Sequence, residues 1–252
     1  MRSIDLQEVQ YYVNETIVDF HRRRIYSLES LKLKKLLKKN PYLFRAKNLI
    51  VAADLIEGLL EAFLSSSEEK LFGDFLEDLA IFIASKTADG RKSAATGVDL
   101  EFVDDGLHYI VSIKSGTNWG NSSQHRKLAD DLRKAVATVK QGNMRLNVQP
   151  VLGICYGKTR TSMVQGYMKV VGQNFWTLIS DDPSLYIKII EPIGYEAKRH
   201  NETFYEEKAR IVNRFTAQFI DEFCHLNGAI DWPKLVEWNS GNFDLDQSLP
   251  SS

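Results

Sequence analysis

Apolar side chains recur at helical spacing through the first part of the chain, up to about residue 65. Apolar positions three or four residues apart line one face of a helix. The pattern predicts one helix around Val9–Phe20, a second that ends at Asn40-Pro41, and a third over about residues 46–64. The run Ser65–Glu69 is typical of a helix end followed by a new N-cap, and a further helix is predicted over about residues 68–85. The N-terminal segment is therefore expected to be all-helical.

From about residue 97 onwards the pattern alternates between strands and helices. Two short segments at about residues 97–114 predict a β-hairpin with Asp104-Asp105-Gly106 as its turn. The nearly all-apolar run Pro150–Gly157 predicts a central strand covered on both faces. The remaining predicted elements are helices over about residues 124–140, 175–179 and 202–226 and a strand over about residues 186–190. This order of elements predicts an α/β fold of the α+β kind.

Composition and charge fit a folded protein but do not identify a ligand. Hydrophobic residues make up 44% of the 252 residues and charged residues 26%, so a packed core is expected. The net charge of -1 averages over basic segments at residues 21–24 and 32–39 and an acidic stretch at 54–78. Cys155 and Cys224 lie in apolar surroundings, which predicts reduced thiols and a cytoplasmic protein. No apolar run reaches the length of a membrane span.

The predicted hairpin carries two acids on its first strand and a lysine on its second. Asp99 and Glu101 are two residues apart, as are Ser112 and Lys114, so each pair shares one face of its strand. A carboxylate pair beside a lysine can bind a divalent metal and stabilise an anion next to it. The hairpin therefore predicts a metal-dependent phosphodiesterase. A merely solvated polar face is the alternative.

The order helix, hairpin, helix, strand, with these acids and this lysine, resembles the PD-(D/E)xK nuclease superfamily. The run from Val111 through Lys114 and Gly116 to Asn121 more narrowly resembles the type II restriction endonucleases of the GGNCC-cutting group. The strand at residues 153–157 and the segment at 230–235 resemble the same group. The resemblance implies a restriction-endonuclease-like core, in which a central mixed β-sheet is flanked by helices.

The same resemblance implies roles for three hairpin residues. Asp99 would bind Mg2+ directly, and the backbone carbonyl of Ile113 would be a second ligand. Lys114 would contact the scissile phosphate and the attacking water. Magnesium prefers oxygen ligands, polarises the phosphate and makes a bound water a better nucleophile.

One position departs from the superfamily pattern, because Ser112 stands where an Asp or Glu is usual, two residues before the lysine. Some restriction enzymes with serine there recruit an acid from elsewhere. Glu101 on the same strand face and Glu77 on the preceding helix are the favoured sources, and Glu77 would reach the metal through water. Asp130 and Asp131 on the following helix are further candidates, so the second acid stays open at this point.

Polar and basic residues that could contact DNA follow the lysine strand and the central strand. Their amides, hydroxyls and cations are the groups that proteins use on phosphates and base edges. The selected residues are Asn118, Asn121, Ser123, Gln124, Arg126, Lys158 and Arg160. The first of these loops could equally cap the helix that follows, with Ser122 or Ser123 as its N-cap.

The leading prediction is a type II restriction endonuclease that cuts double-stranded DNA with Mg2+. Residues 1–66 would form a helical, dimerising segment, residues 67–240 the nuclease domain, and residues 241–252 a flexible tail. A homodimer would match a palindromic DNA site, and a cognate DNA methyltransferase would belong to the same system. The alternatives are a structure-specific repair or recombination nuclease and a DNA-binding protein that has lost activity.

Overall fold

The computed structural model describes residues 1–164, 166–194 and 197–240, which form ten helices and six strands. The helices are α1 (Leu6–Glu29), α2 (Leu33–Leu36), α3 (Pro41–Ala46), α4 (Ala52–Ala88), α5 (Ser122–Gly142), α6 (Gln173–Ser180), α7 (Leu185–Lys188), α8 (Ile190–Gly194), α9 (Ala197–Phe223) and α10 (Trp232–Ser240). The strands are β1 (Arg91–Lys92), β2 (Leu100–Asp104), β3 (Leu107–Lys114), β4 (Asn147–Ile154), β5 (Ser162–Val164) and β6 (Tyr167–Val171). The predicted tail at residues 241–252 lies outside the described residues.

The six strands form one mixed sheet in the order β1-β2-β3-β4-β6-β5. β2 and β3 are the antiparallel hairpin, and β3 pairs in parallel with β4 from Leu107–Asn147 to Lys114–Ile154. β6 is parallel to β4, and β5 is antiparallel to β6. The central mixed sheet that the resemblance implied is confirmed.

Helices cover both faces of this sheet. One apolar cluster joins strand residues to α1 and α4, and it includes Val9, Val13, Leu79, Ile83, Leu100, Phe102, Val111, Ile113, Val151 and Cys155. A second cluster joins the opposite face to α5, and it includes Ile110, Leu128, Leu132, Leu152 and Ile154. Because β4 contributes to both clusters, its nearly all-apolar sequence is explained.

The chain forms two compact units. One unit contains residues 1–20 and 70–198 and holds the whole sheet; the other contains residues 21–69 and the chain from residue 199 onwards. The second unit is built around its own core of leucines and phenylalanines, which includes Leu28, Leu36, Leu55, Phe215 and Phe219. These units do not coincide with the functional segments 1–66 and 67–240, which stay predictions.

Three element predictions were wrong. Asn40-Pro41 does not end a helix, because α2 stops at Leu36 and Asn40 is the N-cap of α3, which begins at Pro41. The chain does not break at Ser65–Ser67, because α4 runs without interruption from Ala52 to Ala88. The hydroxyl of Ser66 donates to the Ala62 carbonyl one turn earlier (3.2 Å), so serine is accommodated within the helix. Residues 185–188 form helix α7 instead of the predicted strand, since Leu185 and Ile189 are both buried and are spaced one helical turn apart.

None of the helices in the described part of the chain is both long and apolar enough to span a membrane.

Candidate active site

The hairpin turn sets the register that brings the site together. Asp105 and Gly106 have positive φ angles of 47° and 72°, as the two central residues of a type I′ turn require. Leu100 then pairs with Val111, and the Asp99 N–H donates to the Val111 carbonyl at 2.8 Å. Asp99, just before β2, therefore lies beside the end of β3, where Lys114 is found.

The Asp99 carboxylate is held by three consecutive residues of β3. Its Oδ2 accepts a hydrogen bond from the Ile113 N–H at 2.6 Å and from the Ser112 hydroxyl at 3.3 Å. The ammonium of Lys114 lies 3.7 Å from the same oxygen. Ser112, which is almost fully buried, thus orients an acid instead of supplying one.

Lys114 makes its shortest contact with its own strand. Its Nζ donates to the backbone carbonyl of Ile113 at 2.6 Å, and it lies 6.0 Å from the centre of the Trp119 ring. Trp119 is in turn packed edge-on against His125, with ring centres 4.3 Å apart. The loop after β3 therefore places the Trp119 ring beside the Lys114 ammonium, and His125 packs against that ring.

Of the two favoured second acids, Glu77 is the one whose pKa is raised by burial and by the charge of Asp99. Burial raises the pKa of Glu77, and the negative charge of Asp99 raises it further. Lys92 on β1 opposes this shift, since its Nζ lies 3.4 Å from Glu77 Oε1 and 3.8 Å from Asp78 Oδ1. Glu77 is therefore a partly buried acid close enough to Asp99 to feel its charge.

Glu101 is engaged elsewhere, although it shares the strand face of Asp99. It accepts a hydrogen bond from the Ser93 hydroxyl at 2.5 Å, and its Oε2 lies 3.4 Å from His108 Nε2 and 3.8 Å from Arg91. These contacts commit its carboxylate to a separate cluster beside β1.

Of the two candidate acids on α5, Asp130 has another partner, and Asp131 lies beside Gly97. Asp130 is exposed and pairs with Arg133 at 2.8 Å. Asp131 packs against Gly97, where a Cβ atom would lie 2.8 Å from the Cβ of Asp131. Gly97 has a φ of 77°, a backbone conformation that glycine adopts easily. Its lack of a side chain also permits the close approach of Asp131.

The donor set fits magnesium. Among the described residues, no three His, Cys, Asp or Glu side chains form a group that could hold a metal ion. The set is instead the Asp99 carboxylate, the Ile113 carbonyl and the nearby Glu77 carboxylate, all of them oxygens of the kind that Mg2+ prefers. The first two already accommodate a cation, the ammonium of Lys114. Mg2+ sites of this kind usually complete their coordination with water and substrate phosphate.

The loop that follows the lysine strand ends in a helix cap. Asn121, and neither Ser122 nor Ser123, is the N-cap of α5. Its Oδ1 accepts from the backbone N–H groups of Ser123 and Gln124, both at 3.1 Å, and Gln124 Oε1 accepts from the Asn121 N–H at 2.9 Å. This capping box orders the start of a 21-residue helix immediately after the lysine strand.

The remaining predicted contact residues are exposed. Asn118 and Arg126 lie in or after the same loop, while Lys158 and Arg160 follow β4. The two loops meet where Gly116 leaves room for Tyr156, because a Cβ at Gly116 would lie 2.9 Å from the tyrosine ring. Both sets of predicted contact residues therefore belong to strand-end loops that touch one another.

Three residues near the site escaped prediction from the sequence. Lys92 lies on a two-residue strand that is too short to leave a periodic pattern. Trp119 and Tyr156 have no pattern that separates them from core aromatics, and the structure places Trp119 near Lys114 and Tyr156 against Gly116.

Most of the chain is similar to one known protein family. A family model described as type II restriction endonuclease EcoO109I matches residues 7–201. The match covers more than half of the 252 residues and includes Glu77, the hairpin and the loops at the ends of β3 and β4. A search among curated proteins found no match.

Proposed function

The chain belongs to the type II restriction endonuclease EcoO109I family, and from this premise we propose that it makes Mg2+-dependent, sequence-specific double-strand cuts in DNA. The reaction is hydrolysis of a phosphodiester bond on each strand. The observation that carries the proposal is the convergence of Asp99, the Ile113 carbonyl and Lys114 at the end of β3.

In this proposal, Asp99 and the Ile113 carbonyl bind the metal. Mg2+ held by these two oxygens would supply polarisation of the scissile phosphate and would favour ionisation of a nearby water. The Ile113 N–H and the Ser112 hydroxyl keep Asp99 Oδ2 in one position, so the carboxylate needs no reorientation. Lys114 stabilises the negative charge that grows on the phosphate during attack.

Glu77 takes the place of the acid that the superfamily pattern puts at Ser112. Its support is that the charge of Asp99, after burial, contributes to the raised pKa of Glu77. Its contact with Lys92 keeps a positive charge beside it. We propose that the Glu77 carboxylate orients a water beside the two oxygens that would hold the metal.

The DNA contacts come from the two strand-end loops. The start of α5, ordered by Asn121, carries the positive end of a 21-residue helix dipole, which favours a phosphate nearby. Asn118, Ser123, Gln124, Arg126, Lys158 and Arg160 are proposed to contact DNA backbone or base edges. Double-strand cleavage needs two copies of the site, so we propose a homodimer on a palindromic sequence. Its partner system would include a cognate methyltransferase, and it would act in the cytoplasm.

Cleavage of DNA of known sequence tests the proposal. Plasmid incubated with the protein and Mg2+ should give discrete fragments, and the mapped ends define the site. Lys114→Ala and Asp99→Asn should abolish these fragments. Lys86→Ala is the matched control, because Lys86 pairs with Glu8 at 3.1 Å, away from the site residues.

Three results would contradict the proposal. Fragments that survive Lys114→Ala would rule out the mechanism. Cutting of branched DNA alone would favour a structure-specific nuclease. Binding without cutting under any divalent metal would favour an inactive DNA-binding protein.

A further inference from the structure

Lys114 contacts the same two oxygens that the proposed function assigns to the metal. Its Nζ donates to the Ile113 carbonyl at 2.6 Å and lies 3.7 Å from Asp99 Oδ2. The inference below rests on that proposed function, since it concerns how the metal reaches these two atoms.

The two oxygens are held in place by the sheet, whereas the lysine is not. Ile113 pairs with Gly153 in the middle of the sheet, and its N–H fixes Asp99 Oδ2. The Lys114 side chain has a flexible four-carbon stem and is 31% exposed. A cation that binds these oxygens would therefore find the Asp99 and Ile113 oxygens fixed and would have to displace only the flexible Lys114 side chain.

An ammonium group and a divalent ion at the Ile113 carbonyl would lie within a few ångströms of each other. The oxygen has two lone pairs, but like charges at such short range repel strongly in a partly buried site. Lys114 must therefore leave the carbonyl when the metal binds. A DNA phosphate is a suitable new partner, because lysine binds phosphate as a point charge.

We propose that Lys114 competes with the divalent metal for Asp99 and the Ile113 carbonyl, and that it exchanges these oxygens for the scissile phosphate when DNA arrives. The lysine thus lowers the affinity of the DNA-free protein for metal. Metal and DNA then bind cooperatively, because each favours the same displaced position of one side chain.

Calorimetric titration of the full-length, DNA-free protein with Ca2+ tests the proposal without requiring cleavage. Lys114→Met and Lys114→Gln should both bind Ca2+ about three- to tenfold more tightly than the wild type, because a competing unit charge has been removed. Lys114→Arg keeps the charge and should stay near the wild-type affinity. Lys86→Met, which removes a lysine paired with Glu8, controls for net charge and should also leave the affinity unchanged.

The outcomes separate this inference from the proposed function. Unchanged or weaker Ca2+ binding in both neutral Lys114 variants, with wild-type unfolding temperatures, overturns the competition. Equal tightening in Lys86→Met does so as well, since net charge would then be the cause. Ca2+ binding that is lost in Asp99→Asn but insensitive to Lys114 contradicts the inference alone. Ca2+ binding that is unaffected by Asp99→Asn contradicts the proposed metal site itself.

Discussion

Placing an acid at Ser112 in a chain that lacks the Glu77 carboxylate tests how the second acid is supplied. If Glu77 replaces the acid that the superfamily places at position 112, Glu77→Gln should lower the cleavage rate at least about 100-fold, as expected when a group that acts in the transition state is lost. Adding Ser112→Asp should then recover at least a tenth of the wild-type rate. The new carboxylate would occupy the usual superfamily position, one strand away from Asp99.

The structure also sets the stability cost of this exchange. The Ser112 hydroxyl lies 3.3 Å from Asp99 Oδ2, so an aspartate there would face a second carboxylate at similar range. Two such charges about 4 Å apart repel by about 4 kcal/mol at an effective dielectric constant of about 20. For a chain of this size that is a fall in Tm of about 8–16 °C. Ca2+ should restore much of it, because a divalent ion neutralises the pair.

The assay compares initial cleavage rates of the wild type, both single variants and the double variant in Mg2+, with scanning fluorimetry with and without Ca2+. Calcium-dependent recovery of Tm shows that the aspartate faces the metal site. A folded double variant that binds Ca2+ but is no more active than Glu77→Gln would refute the reasoning. Full activity of Glu77→Gln alone would refute it too.

Three further predictions follow from contacts around the site. The Glu101→Gln variant should cleave DNA at a rate within about threefold of the wild-type rate. Glu101 contacts Ser93, His108 and Arg91 and not the proposed metal ligands. A loss of rate comparable to that of Asp99→Asn in the same assay would contradict this. The raised pKa of Glu77 means that the folded state disfavours its charged form. The free energy of unfolding is therefore highest below the ordinary pKa of 4.5 and falls as the pH rises through the pKa of Glu77 in the folded state. Glu77→Gln should therefore melt at a higher temperature than the wild type at pH 8 without divalent ions and at the same temperature near pH 4; equal curves across this range would refute the shift. Asn121→Ala should cost about 1 kcal/mol of stability through loss of the α5 cap, and it should also weaken DNA binding in a mobility-shift titration; lower stability with unchanged affinity would separate the cap from DNA recognition.

The sequence predicted the parts of the site that depend on neighbouring residues. The alternation of Asp99, Glu101, Ser112 and Lys114 determines which side chains share a face, and the Asp105-Gly106 turn fixes the pairing of the strands. Both are local effects with a period of two residues, so they can be read from the chain.

The proposed choice of Glu77 over Glu101 rests on tertiary contacts that the sequence does not specify. Strand alternation put Glu101 beside Asp99, but Ser93, which precedes β2, draws its carboxylate away. Glu77 lies near Asp99 because α4 packs on the sheet through Leu79 and Ile83. No local sequence pattern specifies this contact. At the serines 65–67, where local propensity predicted a break, α4 continues, and the Ser66 hydroxyl bonds to the Ala62 carbonyl of the preceding turn.

The parallel pairing of β3 with β4 has a consequence for protein synthesis. Lys114 is opposite Ile154, and the Cys155 N–H donates to the Lys114 carbonyl at 2.9 Å, so the lysine strand gains its second neighbour only from residues about forty positions later. A nascent chain that has emerged only as far as the hairpin lacks this support for the end of β3, where Asp99 and Lys114 meet. The candidate site can therefore be completed only after residue 155 has also left the ribosome.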